Sequence, residues 1–248
     1  MIAAPQPTHA AAVTAPNAAD RLAVALDFPT AAQAIAFVDS LEGSCRWMKV
    51  GLELYCAAGN SLIETLRNRG MNVFLDLKLH DIPNTVAGAI RTVTSAGASL
   101  LTVHAAGGEA MLRAAAEAAA ENVNSPRLLA VTVLTSMDTS QLTGIGIHDT
   151  PATQVLRLAH LATACGVDGL VCSAEEVAPI RQTLGAIPYL VVPGIRPTGS
   201  PTGDQRRIAT PAEAIQSGAS MLVVGRPITQ SQNPAETARV ILAEIASV

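Results

Sequence analysis

Short aliphatic runs alternate along the chain with longer stretches of helical periodicity, the pattern of an α/β fold. Strand-like runs occupy residues 22–27, 47–51, 73–79, 100–104, 128–134, 169–172, 189–192 and 221–224. Helical stretches lie between them, among them 31–41, 61–69, 109–121 and 151–164. Gly70, Gly97, Gly166 and Gly218 each stand where a helix would end before the next strand. Eight strand–helix units predict a closed (β/α)8 barrel, the TIM-barrel architecture, as a single domain over residues 21–248. An open doubly wound sheet is the alternative arrangement of the same units. A closed barrel would place function at the C-terminal ends of the strands.

Composition narrows the partners. Hydrophobic residues make up 49% of the chain and aromatics 2%, so a large core has to be built mainly from Val, Leu, Ile and Ala. The net charge is −4, with no block of Lys and Arg, which argues against nucleic acid as a partner. No apolar run approaches the ~20 residues of a membrane span. Residues 1–20, rich in Ala and Pro, lack the features of a signal peptide and are expected to be a disordered extension. Cys45, Cys56, Cys165 and Cys172 form no C-x-x-C pair and have no His at zinc spacing, so free thiols in a cytoplasmic protein are expected. Gly144-Ile-Gly146 lacks the third glycine of a nucleotide-binding loop and reads as ordinary loop chemistry.

The third strand carries the most informative residues, in Val73-Phe-Leu-Asp76-Leu-Lys78-Leu-His80-Asp81-Ile-Pro-Asn-Thr85. Period-two alternation puts Asp76, Lys78 and His80 on one face and Leu75, Leu77 and Leu79 on the other. Lys49 lies on the second strand and Asp27 closes the first, so a barrel would bring Asp27, Lys49, Asp76 and Lys78 to one rim. A structural Asp–Lys pair, with Asp81 capping the helix near Pro83, is the plainer reading. Four charges at the ends of three consecutive apolar strands are hard to account for by packing, because burying them costs free energy unless they are paired. At the far side, strand seven runs into Pro193-Gly-Ile-Arg196-Pro and strand eight into Gly225-Arg226-Pro. The loops after these two strands often bind phosphate in such barrels. Gly225 would let backbone N–H groups approach an anion, and Arg226 would supply a planar fork of donors. The long connection 197–209 has the length of a lid. It ends at Thr210-Pro-Ala-Glu213, which predicts a helix start with Thr as cap, Pro at N1 and Glu at N3.

Asp76-x-Lys78-x-x-Asp81 followed by Ile-Pro-Asn-Thr85, with Lys49 on the preceding strand, resembles the signature of the orotidine 5′-phosphate decarboxylase family. The resemblance covers about residues 21–246. It implies a homodimeric, cytoplasmic barrel that decarboxylates orotidine 5′-phosphate to UMP and needs neither metal nor organic cofactor. Lys78 would be the proton donor, and Asp76 would face the substrate carboxylate. Lys49 would orient Asp76 and the ribose hydroxyls, and Asp27 would help bind the ribose. Asp81 and Thr85 would reach into the partner subunit's site. Thr135 and Ser136, which a generic turn explains equally well on spacing alone, would contact the pyrimidine. Gln205 would close over the phosphate, with Arg196, Gly225 and Arg226 completing its site. His104 is read as structural. Val192 departs from the pattern, which has Thr before Pro-Gly-Ile-Arg-Pro.

Two other functions compete. A Mg²⁺-dependent sugar-phosphate lyase, such as 3-keto-L-gulonate 6-phosphate decarboxylase, shares Asp-x-Lys-x-x-Asp but would want a carboxylate in place of Lys49. Glu53 lies nearby, yet a cationic Lys49 should repel a metal. A non-catalytic phosphate-binding barrel could keep Arg226 but would have no need of Lys78 or Asp81.

Overall fold

A computed structural model describes residues 17–197 and 209–248. Eight parallel strands close into one barrel in sequence order: β1 (Leu22–Ala25), β2 (Trp47–Gly51), β3 (Asn72–Leu79), β4 (Leu100–His104), β5 (Arg127–Val131), β6 (Gly169–Val171), β7 (Tyr189–Val192) and β8 (Met221–Val224). Closure is made by β1, which pairs with β2 through Ala23↔Trp47 and with β8 through Leu22↔Leu222. The doubly wound alternative is excluded, because an open sheet has two edges and this one has none.

The sequence pattern sorts side chains into two layers. Leu22, Val24, Met48, Val50, Val73 and Leu75 point outward and are buried against the helices. Ala23, Ala25, Phe74, Leu100, Leu129 and Met221 point inward and fill the barrel. Alternation along each strand produces this division. Scarce aromatics are used here after all: Phe74 belongs to the inner cluster, and Trp47 and Tyr189 pack against it. Small Ala23 and Ala25 opposite these rings keep the interior filled without crowding.

Helix boundaries follow local chemistry. Pro151–Ala164 forms as expected, with Pro at its first turn and the Thr150 side chain accepting from Thr153 N–H. At Pro211–Gln216, Thr210 Oγ1 accepts from Glu213 N–H while Glu213 Oε2 accepts from Thr210 N–H, the capping box expected there. Gly97 ends Pro83–Ala96 in the left-handed region, at φ 81.

Three expectations change. Residues 1–16 lie outside the described residues, but 17–20, counted with them as a disordered extension, form a 3₁₀ turn (Ala18–Asp20) leading into β1. The runs 22–27, 128–134 and 169–172 extend past their strands, which stop at Ala25, Val131 and Val171. In β3 the alternation holds for Asp76 and Lys78, which line the barrel mouth, and for Leu75, Leu77 and Leu79, which join the outer cluster, but His80 falls past the strand end and outside that lining, and the ladder slips. Leu75 pairs with Leu101 but Leu79 with Val103, so two extra residues of β3 stand opposite Thr102. Lys78 sits in that bulge at φ 52, and His80 stacks on His104 with ring centroids 5.2 Å apart. Among the described residues no helix is long and apolar enough to cross a membrane.

Candidate active site

The C-terminal ends of the strands surround a cavity of about 240 Å³. Its floor is aliphatic, made by Ala25, Val131, Val171 and Val223, with Phe74 beside them. Its walls carry all the charged residues that sequence reasoning placed at the rim: Asp27, Lys49, Asp76 and Lys78 on one side, Arg196 and Arg226 on the other.

The first four form a chain of alternating charge. Lys49 Nζ is 3.1 Å from Asp27 Oδ1 and 4.0 Å from Asp76 Oδ2. Lys78 Nζ donates to both Asp76 oxygens at 2.9 Å. The central pair is the most enclosed, with Lys49 and Asp76 side chains 12% and 16% exposed, while Lys78 at 38% and Asp27 at 66% open toward solvent. Two carboxylates alternating with two ammonium groups stay close to neutral overall, which lets the inner pair sit away from bulk water. Gly51 makes room for this arrangement, since a Cβ there would stand 3.0 Å from Lys49 Nζ.

Backbone strain accompanies the array. A non-glycine residue in the left-handed region costs on the order of 1–3 kcal/mol and persists only where its surroundings impose it. At Lys78 the N–H donates to Thr102 Oγ1 at 2.8 Å, and the same hydroxyl donates to Asp76 Oδ1 at 3.0 Å. Thr102 is fully buried.

His104 does not line the cavity and caps the turn that follows β4. Its Nδ1 accepts from Ala106 N–H at 3.2 Å, a bond only the neutral ring can make. Burial, with His80 and Lys78 nearby, holds its pKa below the usual histidine value.

The phosphate-side residues are set differently. Arg196 is buried, with its N–H donating to Ala209 O and its Nη1 to Ile195 O, both at 2.9 Å. Ile195 and Ala209 form a parallel bridge, tying together the two described ends of the 197–209 connection. Gly225 precedes the short helix Arg226–Thr229 and lines the cavity. A Cβ at Gly225 would stand 3.6 Å from Asp27 Oδ2, so the missing side chain keeps that edge open.

Thr135 lines the cavity, whereas Ser136 is exposed and is not among its lining residues. Asp81 and Thr85 also do not line it. Both are exposed at the start of Pro83–Ala96, and Asp81 Oδ1 accepts from Ile82 N–H at 2.6 Å. Ile82, not Asp81, is that helix's N-cap, so the capping explanation for Asp81 fails. Gln205 lies outside the described residues. Val192 is fully buried in the layer between barrel and helices, so its departure from the family pattern puts no altered group into the cavity. Sequence reasoning missed Thr102, Gly51 and the aliphatic floor. Thr102 reads as an ordinary strand residue, and the floor reads as core.

Known proteins share the sequence and the fold. A decarboxylase named for orotidine 5′-phosphate from Halorhodospira halophila is 53% identical over 227 residues, covering 92% of this chain and 96% of its own. One of the same name from Alcanivorax borkumensis is 49% identical over 223 residues, 90% of this chain and 96% of its own. The crystal structure of orotidine 5′-phosphate decarboxylase from Lactobacillus acidophilus superposes with a TM-score of 0.82 at 37% identity, covering 91% of this chain and 99% of that one. Residues 20–241 match the family described as orotidine 5′-phosphate decarboxylase / HUMPS, and the chain belongs to that family.

Proposed function

We propose that the chain decarboxylates orotidine 5′-phosphate to UMP without metal or organic cofactor, with Lys78 as proton donor to C6 of the pyrimidine. The observation that carries this reading is the Asp27–Lys49–Asp76–Lys78 chain opening into one cavity that also has Arg196 and Arg226 on its wall.

The chemistry follows from what the bond leaves behind. When the bond from C6 to the carboxylate breaks, carbon dioxide departs and the electron pair stays in an sp² orbital that the ring cannot delocalise well. A fixed ammonium beside that orbital stabilises the charge and then supplies the proton. Lys78 does both, ends the step neutral and regains a proton from water. Asp76 lies against the substrate carboxylate, where repulsion is relieved as carbon dioxide leaves. Lys49 holds Asp76 and, with Asp27, the ribose hydroxyls. Arg196, the Gly225 backbone and Arg226 grip the phosphate, with Gln205 proposed to close over it. Thr135 is the favoured pyrimidine contact, and Ser136 remains a second candidate. Phosphate binding far from C6 supplies energy for orienting the reacting carbon.

Asp81 and Thr85 are proposed to act in the partner subunit's site of a homodimer. Their exposure supports this, as does Ile82 beside them, an apolar side chain left 67% exposed on a single chain. Four free cysteines, three of them buried, suit a reducing cytoplasm.

The metal-dependent sugar-phosphate reading is disfavoured because both carboxylates already face lysines, and Lys49 and Lys78 would repel a divalent ion. Purified protein in excess chelator should consume orotidine 5′-phosphate, followed by the fall in its absorbance, and form UMP. Activity lost in chelator and restored by Mg²⁺ would move the assignment to the sugar-phosphate lyase.

A further inference from the structure

We infer that Thr102 is a positioning residue for the reaction, a single hydroxyl that fixes both the Asp76 carboxylate and the strained backbone of Lys78. This rests on the decarboxylase reading above.

Three observations converge. The Thr102 side chain is completely buried, where an unsatisfied hydroxyl would be costly. Its proton goes to Asp76 Oδ1 at 3.0 Å, and its oxygen accepts from Lys78 N–H at 2.8 Å. It stands opposite the two extra residues of β3, where the ladder has skipped from Leu101 to Val103. In a regular parallel pair the N–H of a residue at this place would bond to a neighbouring main-chain carbonyl. Here the bulge removes that acceptor, and the threonine hydroxyl takes its place.

The consequence is mechanistic. Lys78 at φ 52 aims its side chain back at Asp76, on its own strand, rather than along the barrel wall. When Lys78 gives its proton to C6 it becomes neutral, and its hold on Asp76 weakens at that moment. The Thr102 O–H keeps its bond to Asp76 Oδ1 throughout, so the carboxylate need not swing as charge moves. Catalysis by fixed charges depends on avoiding such reorganisation. Thr102 reaches no substrate itself, because it faces the two catalytic groups and is not part of the cavity lining.

The test compares Thr102→Val, which keeps the shape and removes the hydroxyl, with Thr102→Ser, which keeps the hydroxyl and removes the methyl. Thr102→Val should lose about 10- to 100-fold in kcat, the loss expected of one hydrogen bond to a charged group, with KM and UMP affinity within about threefold of wild type. The Lys78 amide should exchange its hydrogen faster in this variant. Thr102→Ser should restore kcat to within about threefold, since donor and acceptor are both retained. Thr132→Val serves as a comparator: Thr132 is equally buried, its hydroxyl donates to Val171 O at 3.1 Å, and it does not line the cavity. Its loss should lower thermal stability while leaving kcat within about twofold. Wild-type kcat in Thr102→Val, or equal damage in Thr102→Ser, would overturn the inference. If Thr102→Val does not fold, Thr102→Cys, a poor donor and acceptor, carries the same comparison. Should wild-type protein fail to decarboxylate orotidine 5′-phosphate, the functional reading falls. The exchange of the Lys78 amide then decides the Thr102 linkage alone, and unchanged exchange overturns it.

Discussion

The two sides of the barrel mouth are built on different principles. On the β1–β4 side, charged groups on the strands are braced by one another and by Asp27 just past β1: Lys78 against Asp76, Asp76 against Thr102, Lys49 against Asp27. A residue there is held in a strained backbone conformation. On the β7–β8 side, the cations come from segments beyond the strands. Arg226 opens a four-residue helix, and Arg196 lies just past the end of β7. Strands give precision, whereas loops and short helices tolerate adjustment around a ligand. The difference suits a division in which one rim performs the bond-breaking step and the other holds a remote group throughout.

The largest effect should come from the rigid side. Lys78→Ala is expected to lower kcat by at least about 10³-fold while the variant still folds and binds UMP, because it removes the proposed charge stabiliser and proton donor. Steady-state assays with UMP calorimetry check this, and near-wild-type turnover would break the comparison at once.

Asp81→Asn sharpens it by asking which subunit completes the site. If Asp81 works in its partner's site, Lys78→Ala and Asp81→Asn homodimers are each nearly inactive. A mixed dimer then has one site with both defects and one with neither. Unfolding and refolding equal amounts together should recover roughly a quarter of wild-type activity, from the two-fold symmetry of a dimer. No recovery despite proven subunit exchange would return Asp81 to its own barrel.

On the adjustable side, Arg226→Ala should raise KM by about 10- to 100-fold, the worth of a charge-assisted contact, with a smaller fall in kcat. A kcat loss matching that of Lys78→Ala would erase the division of labour.

The smallest effect concerns the edge of the rigid side. Burial, with His80 and Lys78 nearby, puts the folded-state pKa of His104 below the unfolded value. Such a group adds stability above the unfolded value near 6.5, and that stability is lost as pH falls through the lower folded value. Thermal unfolding of wild type should therefore weaken more between pH 7 and pH 5 than that of His104→Asn. Identical slopes would contradict this.

Much of this was legible in the sequence because the chain states it twice, once as strand periodicity and once as charges at strand ends. Asp27, Lys49, Asp76 and Lys78 are conspicuous because each interrupts or closes an apolar run. The strand order followed from repeated strand–helix units. What stayed hidden were features without a pattern of their own. A bulge leaves no period-two signature, and nothing in the alternation shows that the strand ends at Leu79, before His80, which stacks on His104 outside the cavity lining. Thr102 in Leu100-Leu-Thr-Val-His104 is a good strand former whose hydroxyl has meaning only once β3 has bulged toward it. Val131, Val171 and Val223 read as core, and line the cavity as well because the barrel mouth is left open above them.

The central claim is that Lys78 moves a proton at C6 while the β7–β8 rim holds and orients the nucleotide without taking part in that transfer. Its most direct measurement is exchange of the C6 hydrogen of bound UMP for solvent deuterium, followed by NMR at saturating UMP. The wild type should exchange, Arg226→Ala should exchange at a similar rate once saturated, and Lys78→Ala should show no exchange above the rate in buffer. Exchange by Lys78→Ala at the wild-type rate would contradict the account.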